Sequence, residues 1–555
     1  MKEIYRRFES IQKTVESRIE RRTLDIDAQF YCVPGEGYKT DNNLPKNVKW
    51  KDLKEFSSRS KNDDRHVWIK AHVTLPKDYI GKPLYLNMKD YALSTGSSAP
   101  QHIVYFDGQI RGSFDRQHHK ILLKKDEKDF DLWIYCSYGR DCDIVSSKVY
   151  ITEFDENVRD LYYDIHTIFR ALTNTTSTMG ESEEQINYLN KAINLIDFRD
   201  NGQQFLDSAK AAHEYLQKEF FGKYCKPSEY RVHGFGHSHI DVAWLWTIAQ
   251  TKEKAQRTFA NMLNYMEQYP EFIYLSSTPV LYEFVKKEAP ELYERIKEKV
   301  KSGQWEIEGA SWVEPDCVLT SGESLVRQFV YGKRFFKKEF GVDAEVSWIP
   351  DSFGFSGIMP QILKKTGVKY FSTGKLSWND TDEMPYDTFN WSGIDGTSVL
   401  TMFNTVKSVN DKNDFYVTYN AMTEPDYVVG AWQHFKNKDI SNDVIFPYGF
   451  GDGGGGPTEE MIELARRQTY GIPGCPAFVF DTLKNTFKTV DKQTKGSKYL
   501  PNWRGELYFE AHRGILTSQS KNKKFNRRSE FKTQNAETAA VISSLLFKTK
   551  YPSEE

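Results

Sequence analysis

Six cysteines in 555 residues, none in Cys-x-x-Cys spacing, leave no material for a disulfide framework or a cysteine zinc ribbon. They stand at Cys32, Cys136, Cys142, Cys225, Cys317 and Cys475. No run approaches the 18 or so apolar residues a membrane span needs. The start, MKEIYRRFESIQKTVESRIERR, is charged throughout and has no apolar signal core. Secretion and membrane insertion are therefore disfavoured, and a cytoplasmic protein is expected. Charge of one sign is also missing: 75 basic residues face 77 acidic ones, a formal net charge of −2. No global field draws nucleic acid or an anionic membrane, so a neutral ligand is expected. The one basic cluster, KNKKFNRR near 521–528, reads as a solvated loop or surface. Internal repeats and long low-complexity segments are absent as well.

Aromatic residues are plentiful, with 12 Trp, 32 Tyr and 36 Phe making up 14% of the chain. Sugar rings present C–H faces that stack on aromatic planes, so this excess favours a carbohydrate ligand over core filling alone. The length predicts several cores. Polar helical periodicity covers the first fifty or so residues. Period-two strands follow in VWIKAHVTL, PLYLNM, HIVYFDGQI, KILL and FDLWIYCSY, separated by turns such as SSAPQ and DRQHH, which predicts a small β-sandwich. A helical stretch is expected from about Val158 to Phe220. From Tyr230 short apolar strands alternate with helices, the pattern of βα units around a largely parallel sheet. Helix marks include the stripe Phe259, Met262, Leu263 and Met266, a capping box at Thr320 and Glu323, and a stop at Gly367 for the helix begun near Pro360. In such α/β sheets the ligand site lies beyond the carboxyl ends of the strands.

Residues at those ends supply the candidate chemistry. Gly236-His237-Ser238-His239-Ile240-Asp241 runs off an apolar strand, and a period of two points His237, His239 and Asp241 one way, the last two nearest the end. Imidazole plus carboxylate suits zinc or a neighbouring divalent ion, while a buried His–Asp pair with a structural role remains the alternative. After WEIEGA, Pro315 stops the ladder in Ser311-Trp312-Val313-Glu314-Pro315-Asp316. Asp316 is then left where a nucleophile would sit, or serves as a turn cap. Asp351 follows AEVSWIP, and Asp452 follows VIFPYGF in GDGGGGP. That glycine run lacks the Lys-Ser/Thr of a phosphate loop and bears an acid, so it better suits a general acid beside a sugar. His512, in Glu510-Ala511-His512-Arg513-Gly514, would on its own be an ordinary surface histidine.

Taken together, HSHIDVAWLW, GASWVEPD, SGESLVRQ, WIPDSFGFSGIMPQIL, KLSWND, PYDTF, GFGDGGGGPT and ELYFEAHRG, in order over residues 231 to about 528, resemble glycoside hydrolase family 38, the α-mannosidases, and within it the cytosolic and vacuolar-type branch and its bacterial relatives. The resemblance implies an α/β fold with three parts. Residues 1–225 would form a β-rich amino-terminal region with helical arms, 226–505 a (β/α) catalytic domain like a seven-stranded barrel, and 506–555 the start of a helical middle domain. It implies one zinc ion, or cobalt in its place, held by His239, Asp241, Asp316 and His512. Asp316 would double as nucleophile and Asp452 as general acid and base. Trp244 would be the platform under mannose and Asp351 a substrate contact. Phe355 departs from the histidine or tyrosine that many relatives carry there, which touches one outer sugar contact.

The implied activity is retaining hydrolysis of terminal α-linked mannose in oligosaccharides by two carboxylates. Members of the family continue beyond the point matching Glu555, so the resemblance also makes this chain an amino-terminal portion. Exposed apolar surface on it would then invite pairing, a homo-oligomer included. Two readings compete: a catalytically incompetent mannose-binding or assembly fragment that needs its carboxyl-terminal remainder, and a metal hydrolase of acyl or amide bonds, against which the two-carboxylate pattern and WVEPD argue.

Overall fold

The computed structural model describes residues 2–34, 44–58, 65–94, 100–139, 142–174, 179–412 and 416–552. The first helix, Lys2–Glu16, is shorter than the arm expected over fifty residues, because strands Glu20–Asp25 and Gln29–Cys32 follow it at once. Leu24, Ile26, Ala28 and Phe30 alternate and pack on the sandwich core, and that burial overrides the polar helical periodicity.

Two antiparallel sheets share this core. One has six strands, in the order Lys51–Asp52, Gln29–Cys32, Arg65–Thr74, Asp129–Tyr138, Gln101–Phe106 and Gln109–Phe114. The other has four: Glu20–Asp25, Asp143–Phe154, Leu84–Ser94 and Lys120–Leu122. Ile69, Leu86, Leu132, Ile134 and Ile151 are wholly buried between them. HIVYFDGQI is not one strand but a hairpin. Asp107 and Gly108 both take positive φ, 51° and 83°, as a two-residue turn with the twist of its flanking strands requires.

Helices Glu156–Asn174, Met179–Leu195 and Gln203–Tyr215 come next, the last running into a wider π turn over Leu216–Tyr224. Asp164 lies fully buried among them and accepts from Arg467 Nε (2.6 Å), His213 Nδ1 (2.8 Å) and Gln217 (3.0 Å). A charge so far from water survives only with such partners, and Arg467 thereby ties the helical layer to the α/β region.

In the α/β region, strand Arg231–His237 pairs in parallel with Tyr274–Leu275, Asp443–Tyr448 and Ala477–Phe480, and Trp305–Glu306 extends the sheet beyond Tyr274–Leu275. A second five-stranded sheet runs Val346–Trp348, Tyr370–Thr373, Ser398–Phe403, Thr388–Ser392 and Asn502–Arg504, with Thr388–Ser392 antiparallel to its neighbour Ser398–Phe403. The strands thus divide into two sheets, joined at one seam by Gly309 N–H donating to Val346 O (2.9 Å), with no single ladder closing them among the described residues. Phe259, Met262, Leu263 and Met266 are buried as their spacing predicts. The helix after Asp316 is capped one residue later than expected: Ser321, not Thr320, accepts from Ser324 N, while an unforeseen capping box joins Thr247 and Gln250.

The basic cluster KNKKFNRR lies on a helix, Ser520–Phe547, not in a loop. Glu537 on that helix takes both guanidinium ends of Arg327, while Phe525, Phe531, Leu545 and Phe547 are exposed. No helix of the described residues is long and apolar enough to cross a membrane. Many of the aromatic residues went to the interior: Trp305, Trp348 and Trp391 are among the largest wholly buried side chains.

At Gly234 an added Cβ would fall 1.9 Å from Phe478 Cζ, so strand Arg231–His237 depends on this missing side chain to sit under its neighbour. Gly234→Ala is expected to destabilise by about 1–3 kcal/mol or more through overpacking. Phe478→Leu in the same chain should recover part of that loss in urea unfolding, and additive losses would contradict the contact.

Candidate functional site

The strand carrying the histidines ends at His237. Burial, helped by the neighbouring His239, pushes the His237 pKa down to about 3, so the ring is neutral, and its Nε2 accepts from Trp348 Nε1 at 2.9 Å. This first histidine is therefore spent on joining the two sheets. Beyond it the backbone pairs with the glycine loop. Asp241 N–H donates to Asp452 O (2.9 Å), Gly454 N–H to His239 O (3.3 Å), and Ile240 bridges Gly453. Asp452 sits at φ 64°, the left-handed region that aspartate tolerates better than most residues. Pairing and turn together bring His239, Asp241 and Asp452 to one place, with one ligand atom from each lying within 4.8 Å of the others.

His239 is only 4% exposed. Its Nδ1 bonds Glu314 Oε1 at 3.0 Å, which places a proton on Nδ1 and turns the Nε2 lone pair the other way. Nε2 then faces Asp241 Oδ1 at 3.4 Å and Asp351 Oδ2 at 3.5 Å, and makes no hydrogen bond. A lone pair aimed at two carboxylates is repulsive unless a cation lies between them. Without one the ring is driven to take a second proton: burial opposes this, but the charge of Glu314 and the contacts with Asp241 and Asp351 hold the pKa well above the ordinary histidine value. Nitrogen and carboxylate donors around an orphaned buried nitrogen fit a divalent cation.

Around this core, Asp351 Oδ1 pairs with Lys375 Nζ at 2.6 Å. Despite burial, His239 and Lys375 hold the Asp351 carboxyl below the usual range. The Lys375 ammonium lies 3.8 Å from the centre of the Trp378 ring, a cation–π contact that stabilises it out of water. Tyr419 stands edge-on to His239 at 5.4 Å, and burial with the charges of Asp351 and Asp452 pushes its pKa far up, so it remains a proton donor. Asn420 Nδ2 donates to Asp452 Oδ1 at 3.1 Å; an added Cβ at Gly451 would lie 2.0 Å from Asn420 Oδ1, so only glycine allows this approach.

The remaining expected residues stand apart from the group of three. Asp316 is exposed, and its Oδ1 accepts from Val318 N and Leu319 N, both at 2.8 Å, so the turn after Pro315 claims it. His512 is also exposed, edge-on to Phe353 (4.9 Å), Phe509 (5.3 Å) and Trp378 (6.0 Å). Lys375, the partner of Asp351, lies over two of the same rings, Phe353 and Trp378. The expected four-residue set is thus not drawn together here: Asp452 stands beside His239 and Asp241, and Asp316 and His512 do not. Trp244 is 59% exposed and packs edge-to-face on Trp246 at 5.6 Å. Phe355 is buried against Phe371 and Trp391, away from any outer contact. Glu314, Lys375, Tyr419 and Asn420 escaped the sequence reading. Glu314 and Lys375 each left a signal, the one two residues before Asp316 in WVEPD and the other at the head of KLSWND; Tyr419 and Asn420 left none.

Comparison with known proteins gives a matching context. Residues 229–506 match the profile of the glycosyl hydrolases family 38 N-terminal domain. Alpha-mannosidase G of Dictyostelium discoideum is 35% identical over 492 residues, covering 85% of this chain and 43% of that protein. An alpha-mannosidase of Saccharomyces cerevisiae is 34% identical over 421 residues, 72% of this chain and 37% of its own length. The chain thus spans less than half the length of these curated relatives. A crystal structure of an alpha-mannosidase from Enterococcus faecalis aligns at 20% identity and a TM-score of 0.41, over 50% of this chain and 31% of that one.

A carboxylate that orients a ligating histidine is worth roughly 10- to 100-fold in metal affinity. If His239 ligates a divalent cation, Glu314→Gln should weaken its binding by about that factor and His239→Ala should remove it, both read with zinc as the probe by competition with a chromophoric chelator. Unchanged affinity in Glu314→Gln would contradict the orientation described.

Proposed function

The chain belongs to glycosyl hydrolase family 38, and from that premise we propose that it carries the active site of a zinc-dependent retaining α-mannosidase, acting on terminal α-linked mannose of oligosaccharides. The observation that carries this reading is the buried Nε2 of His239, turned toward two carboxylates beside the glycine-loop carboxylate. His239 and Asp241 would hold the ion, and Asp316 and His512 would complete the set that the family resemblance implies. For that, Asp316 must exchange its two backbone amide bonds and His512 must leave its aromatic contacts. Zinc, or cobalt in its place, would supply Lewis acidity and hold the 2- and 3-hydroxyls of mannose, of which the 2-hydroxyl is axial.

The chain's own residues would do the covalent chemistry. A carboxylate oxygen of Asp316 attacks the anomeric carbon while Asp452 gives its proton to the departing glycosidic oxygen; the old C–O bond breaks and a mannosyl ester of Asp316 forms. Asp452, now ionised, takes a proton from water, whose oxygen attacks the same carbon and expels Asp316. Two inversions leave the original anomeric configuration. Asn420 would fix the Asp452 carboxylate through both steps. Asp351, balanced by Lys375, would bind sugar hydroxyls, and Trp244 would stack under the ring. A cytoplasmic location is part of the same proposal, since all six cysteines are unpaired, as suits a reducing compartment.

On an aryl α-mannoside, Asp316→Asn should abolish turnover. Asp452→Asn should slow it by about 10²- to 10⁴-fold, the usual worth of a general acid–base group, and retain more metal than Asp316→Asn. Azide should speed the Asp452 variant, because a small anion attacks the ester without a base. Azide rescue of Asp316→Asn, or an inverted product by NMR, would overturn the assignment.

A further inference from the structure

Where the helical layer meets the α/β region, His166 on helix Glu156–Asn174 meets two carboxylates that arrive from elsewhere in the chain. Glu424 caps helix Pro425–His434, and Glu460 lies in the first turn of helix Glu459–Gln468, which leads away from the glycine loop. One ligand atom from each of the three lies within 4.8 Å of the others. A carboxylate in a first helical turn is ordinary on its own, since the helix dipole favours it. The convergence of two such carboxylates on one buried imidazole has no explanation there.

The His166 ring is 9% exposed, and both its nitrogens are engaged. Nε2 faces Glu424 Oε1 at 2.8 Å, and Nδ1 lies 2.7 Å from Gln12 Nε2 on the amino-terminal helix Lys2–Glu16. The two ends of an amide are nearly alike in shape, so a half-turn of Gln12 offers its oxygen to Nδ1 instead. Nδ1 then keeps the ring proton, and the Nε2 lone pair is free for an ion. The other oxygen of Glu424, Oε2, accepts from Arg170 Nε at 3.4 Å, which leaves Oε1 for the same ion. Partners placed behind a histidine and a carboxylate in this way are what orients the ligands of a metal site.

Charge and access agree with that arrangement. Arg170 answers for Glu424, but Lys120, a cation that acts on Glu460, pairs with Glu459 at 3.6 Å. Glu424 and Glu16 act on Glu460 as like charges. Glu16, Glu424 and Glu460 all line a cavity of about 650 Å³, which gives an ion a way in and room for water. A plain His166–Glu424 ion pair would need no third group, and Glu460 would add only repulsion to it. We propose that His166, Glu424 and Glu460 form a divalent-cation site separate from the one at His239. Zinc is the ion that one imidazole and two carboxylates suit, with water from the cavity completing its coordination. Around an ion with bonds of about 2.1 Å, ligand atoms stand roughly 3.4 Å apart, so Nε2 and Oε1 need part by only about 0.6 Å. The ion staples the helical layer to the helix that leaves the glycine loop, and Gln12 ties the amino-terminal helix to the same point. The site does not depend on the glycosidase reading.

The test uses the whole chain in a His239→Ala background, with zinc alone as the probe, read by equilibrium dialysis and chelator competition. His239→Ala should still bind one zinc per chain. Adding Gln12→Ala should weaken that binding by about 10- to 100-fold, as loss of a partner behind a ligating histidine does. Adding Glu460→Gln, a change of equal shape on an exposed residue, should weaken it at least as much. Zinc should also raise the melting temperature of His239→Ala, and the rise should shrink in both variants while their melting temperatures in chelator stay at the background value. Without that background, the parent chain should bind one more zinc than Glu460→Gln. Calcium, which takes oxygen ligands, should not displace the ion. No zinc bound by His239→Ala, affinity indifferent to Glu460→Gln, or displacement by an equal concentration of calcium would overturn the site. Should Glu460→Gln lower the melting temperature in chelator, Gln12→Ala decides by the same criterion.

Discussion

The ring of His239 is buried with Nδ1 tied to Glu314 and Nε2 turned on Asp241 and Asp351, and this placement constrains everything near it. Carboxylates held out of water cost free energy unless positive charge compensates them. Lys375 answers for Asp351, and its ammonium in turn rests on the Trp378 ring. Among the described residues no lysine or arginine pairs with Asp241 or Asp452, and the His239 ring is what Asp241 has within reach, at 3.4 Å. A divalent ion would remove the lone-pair repulsion and the charge deficit together, and therefore the donor set reads as a metal centre more readily than as a structural His–Asp pair.

The glycine loop is the second constraint. Its backbone pairs with residues 239–241, so the carboxylate of Asp452 is carried by the segment that fixes His239 and Asp241. Glycine at 451 admits Asn420, and Thr258 Oγ1 accepts from Gly455 N–H at 2.9 Å. From the other side the sandwich holds the loop through His118 and Pro457, while Asn261 Oδ1 accepts from Ser113 N–H at 2.8 Å across the same boundary. The proton donor that Asp452 is proposed to be would need a fixed distance to its target, and the loop that carries it is held from the sandwich and from the α/β region alike.

Much of this was legible beforehand. Alternation predicted the sandwich strands, and strand-to-loop transitions predicted that His239, Asp241, Asp351 and Asp452 would share one end of the α/β region. Where the fold departs from the local pattern, the cause is local. The alternation of HIVYFDGQI runs on through an Asp-Gly pair, although that pair is a strong hairpin signal. Thr320 and Glu323 had the spacing of a capping box, but Ser321 took the cap. The first fifty residues looked helical because charged residues dominate them, while Leu24 and Phe30 were already committed to a sheet.

Sequence by itself determined the residue types available to the site, the end of the sheet at which they would emerge, and the family to which the whole order of motifs belongs. Those follow from the period of a strand and from neighbours a few residues away. Tertiary structure alone decided which partner claims each side chain. His237, equal to His239 by periodicity, is taken by Trp348, 111 residues on; Asp316 is taken by its own turn; and Glu314, Lys375 and Asn420 become site residues through contacts with no fixed spacing. A side chain's role depends on what lies within a few ångströms of its polar atoms, and the packing of distant segments, not local periodicity, sets that.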